Sequence, residues 1–190
     1  MKIGVLALQG AFSEHIEKLQ ILGVDSREIR KASDFSENLD GLIIPGGEST
    51  VMGKLLTDFN LTAPISDSIK NGMPVFGTCA GMILLGSKVE GGQEDFSIKA
   101  MNITVVRNAY GRQLGSFSAY EPFGDQGPVP MVFIRAPYIS SAADDVTILA
   151  KVNDRIVAAQ QNRILVTAFH PELTDDLTVH QYFLSQIKEH

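Results

Sequence analysis

A lone cysteine and a distant histidine-carboxylate pair carry the chemistry open to this chain. Cys79 is the single cysteine among 190 residues and stands at the centre of Gly77-Thr78-Cys79-Ala80-Gly81, directly after the apolar run Met73-Pro74-Val75-Phe76. Small residues in that context form a nucleophile elbow, where a strand turns abruptly into a helix and lifts one side chain out at the top of a sheet. Glycine on both flanks lets the backbone turn without a Cβ clash. A helix through Met82, Ile83, Leu84 and Leu85 aims its first amides at the sulfur, which favours thiolate over thiol. A free cysteine without context is a small buried hydrophobe, but a glycine-bracketed one is poor core filler.

Phe169-His170-Pro171-Glu172 supplies the other half of the machinery, 91 positions beyond Cys79. A thiolate attacks an acyl carbon, an imidazole moves the proton, and a carboxylate holds the imidazole tautomer and stabilises its charged form. His170 and Glu172 are two apart, so an extended segment puts them on one side, and Pro171 stiffens it. The three residues read as a Cys-His-Glu triad. The tetrahedral intermediate also needs donors for its oxyanion, and backbone amides at glycine-rich turns suit that task. Gly47 and Ala80 are the candidates. His15 and His180 fall in the first and last predicted helices and His190 at the end of the chain, where surface or packing roles are expected. No His/Cys cluster has metal-ligand spacing, so neither a metal nor another cofactor is implied. A Walker loop and a Gly-x-Gly-x-x-Gly fingerprint after the first strand are both missing.

The elements that must position these groups follow from periodicity. Short apolar runs alternate with amphipathic segments over the first half, which predicts βαβ units and a largely parallel sheet. Strands are expected at Ile3 to Leu8, Val24 to Ile29, Leu39 to Ile44 and Met73 to Phe76. Phe12, Ile16, Leu19 and Leu22 recur at helical spacing and Gly23 closes that helix; further helices are expected at Val51 to Leu56 and Ala63 to Lys70. Loops near Gln9-Gly10, Gly46-Gly47 and Cys79 then lie at the carboxyl ends of strands, where open α/β sheets bind ligands. Beyond about residue 100 the pattern becomes short runs separated by turns, near Ile103-Val106, Phe117-Ala119, Met131-Ile134, Val146-Ala150, Ile156-Gln160 and Leu165-Ala168. These predict antiparallel hairpins completing the same domain, residues 1–190, with exposed loops at Gly91-Gly92-Gln93-Glu94-Asp95 and Gly124 to Pro128. A last helix runs from about Asp176 to Lys188. The expected fold class is a three-layer α/β open sheet, mixed but mostly parallel, flanked by helices.

With 16 basic against 22 acidic residues and a net charge of −6, the chain lacks the basic patch of a nucleic-acid binder. One cysteine makes no internal disulfide, and Met1 to Leu8 is too short an apolar run for a signal peptide. No stretch approaches the ~20 apolar residues needed to cross a bilayer, so no membrane partner and a cytoplasmic location are expected.

Taken together these segments resemble the class I, triad-type glutamine amidotransferases. Within them the similarity is greater to the glutaminase subunits of two-component pyridoxal 5′-phosphate synthases. The resemblance spans essentially the whole chain: Leu6 to Phe12, Pro45-Gly46-Gly47-Glu48-Ser49-Thr50, Gly77 to Met82, Arg107 to Gln113, Phe133 to Pro137 and His170 to Thr174. It implies a flavodoxin-like sheet and hydrolysis of L-glutamine to L-glutamate and ammonia. Cys79 would form a γ-glutamyl thioester, His170 would act first as base and then as acid, and Glu172 would orient it. It further implies that Gly47, Glu48, Ser49, Arg107, Ile134 and Arg135 hold the substrate, and a free amino acid does need a cation for its α-carboxylate. The implied partner is a (β/α)8-barrel synthase subunit that builds the cofactor from ribose 5-phosphate and glyceraldehyde 3-phosphate, in an assembly of twelve of each. Activation on docking is part of that picture, so the Gly46-Gly47 loop is expected to be poorly arranged in the isolated chain. Glu90 to Ser97 is richer in acid than the pattern, and Tyr138 sits where relatives vary.

Three other readings compete. A glutaminase serving another acceptor would share the triad but not the Arg107 to Gln113 segment. A silent docking module would not need Cys79, His170 and Glu172 intact. A cysteine peptidase or esterase would not need Arg107 and Arg135.

Overall fold

Apolar runs too short for helices pair edge to edge in the first half of the chain, and the amphipathic runs between them pack on their faces. The computed structural model describes residues 1–36, 38–91, 97–107 and 115–188. Within them, β1 (Lys2–Leu6), α1 (Phe12–Ile21), β2 (Asp25–Ile29), β3 (Gly41–Ile44), α2 (Ser49–Asp58), α3 (Thr62–Lys70), β4 (Val75–Thr78) and α4 (Ala80–Leu85) follow in order. Next come β5 (Gly86–Glu90), β6 (Met101–Val106), β7 (Ser116–Pro122), β8 (Pro128–Ile134), β9 (Tyr138–Ala142), β10 (Thr147–Val152), β11 (Arg155–Gln161), β12 (Ile164–Thr167) and α5 (Thr178–Lys188). Asn108 to Gln113 of the matching motif, Gly92 to Asp95 of the predicted loop, and His190 lie outside the described residues.

Among the described residues the main sheet runs β2-β1-β3-β4-β12-β11-β9-β6-β5, with β10 pairing on β11. Its first five strands are parallel throughout. Their order, 2-1-3-4 and then the late strand, is the flavodoxin-like winding, whose ligand crevice opens where the order reverses beside β1 and β3. The other half is mainly antiparallel, through β12/β11, β11/β9, β9/β6 and β11/β10, with β5/β6 parallel. The fold is therefore the mixed, mostly parallel, helix-flanked sheet. β7 and β8 form a separate hairpin.

Alternation along β4 shows how both faces are covered. Phe76 contacts the rings of His15 in α1 and of His180 and Phe183 in α5. Its neighbour Gly77 points the other way, where an added Cβ would sit 2.7 Å from Leu85 of α4. Helices α1 and α5 thus cover one face and α4 the opposite one. Val75 and Phe76 of β4, and Leu42 to Ile44 of β3, are fully buried, as strands covered on both faces must be.

Helix α1 closes on Gly23 at φ +68°, with Gly23 N–H on the Gln20 carbonyl (3.0 Å) and Val24 N–H on the Leu19 carbonyl (2.9 Å). That pair is the Schellman closure anticipated at this glycine. β5 and β9 were not anticipated, for a physical reason. Gly86-Ser87-Lys88-Val89-Glu90 and Tyr138-Ile139-Ser140-Ser141-Ala142 carry no apolar run; β5 is held at the sheet edge by β6 and β9 lies between β11 and β6, and these ladders supply the pairing that composition does not. β1 ends at Leu6, two residues short of the apolar run; Ala7 still donates to the Ile29 carbonyl at 2.9 Å before the chain turns off the sheet.

Candidate active site

Cys79 and His170 meet because β4 and β12 are adjacent parallel strands, with Thr78 opposite Thr167. Each strand ends by delivering one of the two. Cys79 N–H donates to the Thr167 carbonyl at 2.7 Å, tying the elbow to the end of β12. The hairpin then holds the other group: His170 N–H donates to the Val132 carbonyl of β8 at 2.8 Å, and Phe133 packs edge-on against Phe169.

The elbow carries backbone strain at Cys79 itself. Cys79 has φ +47° and ψ −98°, a conformation that non-glycine residues adopt at a cost of about 1–3 kcal/mol. The flanking glycines serve close approach instead. A Cβ on Gly81 would lie 2.1 Å from the Ile44 carbonyl oxygen, and one on Gly77 would lie 2.8 Å from the Gly81 carbonyl carbon. Two backbones therefore touch where Cys79 is lifted out.

His170 Nδ1 lies 2.7 Å from Glu172 Oε1, within the one-turn 3-10 helix Pro171–Leu173. With Nδ1 on Glu172, Nε2 is the ring nitrogen left to face Cys79, which lines the same cavity. Burial opposes the charged imidazole, yet the bonds to Cys79 and Glu172 outweigh it and raise the His170 pKa to about 10. Glu172 is 3 % exposed. Burial works against its charge too, but the His15 and His170 rings hold the carboxyl below its usual range.

A cavity of about 460 Å³ opens over the sulfur. Gly47, Glu48, Ser49, Arg107, Ile134 and Arg135 line it together with Cys79 and His170. Ala80 is fully buried and does not line it, which confines any part it has to its backbone N–H. Gly10, from the first of the three loops expected to bind ligand, lines it as well, and so do Ala11, Ile83 and Leu173, none of which bears a reactive group.

Glu48 lines the cavity and also serves its own helix. It is the N-cap of α2, and its carboxylate accepts from Thr50 N–H (3.1 Å) and Val51 N–H (2.7 Å), with Arg107 Nη2 at 3.5 Å from Oε1. Partial desolvation disfavours that charge, but the two amides and Arg107 outweigh it and keep the carboxyl below its usual range. Arg107 also reaches Thr50 Oγ1 at 3.3 Å. The Gly46-Gly47 loop, expected to be poorly arranged for an oxyanion, is hydrogen-bonded on both sides. Ala11 N–H donates to the Gly46 carbonyl at 3.1 Å and Glu48 N–H donates to Gln9 Oε1 at 2.8 Å. With the Gly46 carbonyl turned to α1, the trans peptide sends the Gly47 N–H the opposite way.

His15, expected in a surface or packing role, packs on Phe76 behind Glu172. It is fully buried, and its Nε2 lies 3.5 Å from Glu172 Oε2. A signal for it existed: a histidine on the apolar face of α1, three positions after Phe12 and four before Leu19.

Comparison with known proteins agrees in every part of the chain. The model of the SNO glutamine amidotransferase family matches residues 5–189. The pyridoxal 5′-phosphate synthase subunit PdxT of Streptococcus pneumoniae strain CGSP14 is 55% identical over 192 residues, covering 100% of this chain and 98% of that protein. The subunit of the same name from strain ATCC 700669 is also 55% identical, over 99% of its length. Among solved structures, one described as a glutamine amidotransferase superposes with a TM-score of 0.93 at 40% identity, covering 98% of both chains. PurLQS from Thermotoga maritima superposes at 0.68 with 14% identity over 97% of each, a likeness of fold alone.

Proposed function

The chain belongs to the SNO glutamine amidotransferase family, and on that premise we propose that it hydrolyses L-glutamine to L-glutamate and ammonia and passes the ammonia to a pyridoxal 5′-phosphate synthase partner. The observation that carries the reading is the Cys79-His170-Glu172 arrangement at the floor of a cavity lined by two arginines.

With its pKa near 10, His170 is protonated at neutral pH and is placed to act as the acid beside the sulfur. The thiolate adds to the carboxamide carbon of glutamine, and the oxyanion formed takes hydrogen bonds from the Gly47 and Ala80 amides. Imidazolium gives its proton to the departing nitrogen, the C–N bond breaks, and ammonia leaves a γ-glutamyl thioester on Cys79. Neutral His170 then takes a proton from water as the hydroxide adds to the thioester, and collapse expels the thiolate with glutamate as product. Glu172 stays ionised throughout and keeps Nδ1 as the donor towards it. Arg107 and Arg135, with Glu48, Ser49 and the backbone of Ile134, hold the amino-acid end of glutamine.

The same proposal treats residues 1–190 as one functional unit acting in the cytoplasm. Among the described residues no helix is long and apolar enough to cross a membrane. The partner is taken to be a (β/α)8-barrel subunit in an assembly of twelve copies of each chain. Ammonia release from glutamine, with and without the cognate synthase subunit, tests the reading. Release that rises with the partner and disappears in Cys79→Ala is expected. Release indifferent to the partner, or surviving the substitution, would overturn it. Sedimentation of the mixed subunits checks the assembly.

A further inference from the structure

Glu172 has two oxygens, and only Oε1 is used by His170; Oε2 is buried and has no hydrogen-bond partner. An unpaired carboxylate oxygen in the interior is costly, so what faces it matters. The group that faces it is Nε2 of His15, at 3.5 Å, which also reaches Thr78 Oγ1 at 3.2 Å. On the far side of the same ring, His15 Nδ1 lies 3.0 Å from Nε2 of His180. Both rings are fully buried and both meet Phe76 edge to face.

The tautomers follow by elimination. If His15 Nδ1 carried the proton, its bare Nε2 lone pair would point at carboxylate Oε2. His180 Nδ1, which has no partner, would then be a buried N–H without an acceptor. The reverse assignment removes both faults. His180 Nε2–H donates to His15 Nδ1, His15 Nε2–H points at Thr78 and Glu172, and the orphan at His180 is only a lone pair. Desolvation favours the neutral form of each ring and lowers both pKa values. Protonating His15 would force His180 to its unsatisfied tautomer, so the pair resists acid.

We propose that His15, oriented by His180, is a positioning residue for Glu172, its neutral Nε2–H facing Oε2 so that Oε1 stays aimed at His170. This rests on the triad reading above. The need is greatest after His170 has given its proton to ammonia, when Glu172 has no imidazolium beside it. A neutral donor serves there. A cation at His15 would compete with His170 for the same carboxylate.

The groups facing Glu172 are His170 from its own turn and His15 from α1. Those facing His15 are Glu172, His170, Glu14 and His180, while Lys18 and His15 face His180. The experiment is glutamine hydrolysis against pH in the complex with the synthase subunit, for wild type, Cys79→Ala, His15→Leu and His15→Gln. His15→Leu is expected to lower kcat at least tenfold with KM within about twofold, and to move the acid limb of kcat/KM up by half a pH unit or more. His15→Gln, which keeps an N–H at the Nε2 position, is expected to recover most of both. A His15→Leu enzyme with wild-type kcat and an unmoved acid limb would overturn the inference while leaving the triad intact. Loss of the triad reading itself would show as Cys79→Ala activity.

Nitrogen NMR of the labelled wild-type histidines needs no variant to fold. Neutral Nε2–H tautomers at positions 15 and 180 are expected at pH 7, and a protonated or Nδ1–H His15 would refute the assignment.

Discussion

Two walls of one cavity are held in different ways. Cys79, His170 and Glu172 are at most 7 % exposed, and the Cys79 and His170 amides are tied to the end of β12 and to β8 of the hairpin. Gly47 and Glu48, by contrast, are exposed, and the loop they belong to hangs on Gln9, Ala11 and an N-cap. In the proposed reaction the first wall breaks and forms bonds, where misplacement by about 1 Å costs on the order of 10²-fold in rate, which suits a wall fixed by the core. The second wall admits substrate and meets solvent, and a few exchangeable hydrogen bonds suffice.

The largest effect should come from the rigid wall. Cys79→Ala is expected to reduce glutamine-dependent ammonia release by about 10⁴-fold or more while thermal unfolding shifts little, because the change removes a sulfur and no contact that holds the sheet. Glu172→Gln should cost about 10²–10⁴ in kcat, since an amide can hold the wrong imidazole tautomer, with KM for glutamine little altered. Steady-state kinetics reads both.

Two glycine substitutions sharpen the contrast. Gly81→Ala drives a Cβ to 2.1 Å from the Ile44 carbonyl, a backbone atom that cannot swing away, so denaturant unfolding should show a loss of about 1–3 kcal/mol or more. Gly47→Ala meets the end of the Gln9 side chain at 2.5 Å. That side chain can move, so stability should hold while kcat falls about 10²–10³-fold from a displaced oxyanion donor. If Gly47→Ala unfolded the protein as readily as Gly81→Ala, the two walls would not differ as described.

Acid and alkali should separate the histidines. The folded-state pKa of His15 and His180 is lowered, so below about pH 6.5 the unfolded chain takes up protons that the native one refuses, and stability falls as pH drops. His170 has the opposite sign: its raised value stabilises fully below its unfolded pKa near 6.5, and that contribution is lost as pH rises through about 10. Unfolding free energy from pH 5 to 10 should therefore peak near neutrality, with a slope of up to about 1.4 kcal/mol per pH unit per histidine on either side. His15→Gln should flatten the acid side alone.

Much of the rigid wall was legible in the residues. Cys79 between glycines, His170 and Glu172 two apart, and Gly46-Gly47 after an apolar run are local patterns, and turn chemistry acts over a few residues. The substrate-side positions Arg107 and Arg135 carried meaning only through family resemblance, because an isolated arginine says nothing of what it faces. The N-cap role of Glu48 was not legible, because glutamate is not among the residues that helix N-caps favour.

From sequence alone, then, come the residues proposed as nucleophile, base and orienting carboxylate, the alternation that makes a parallel sheet, and the closure of α1 at Gly23. These depend on backbone sterics and on spacing, which neighbours in the chain dictate. Only the tertiary structure decided that β12 inserts beside β4, bringing His170 to a sulfur 91 positions away, and that α1 and α5 bury two histidines behind Glu172. Such meetings depend on which strands pair and which helix faces pack across the sheet. Long-range burial selects them, and no stretch of the chain carries that information by itself.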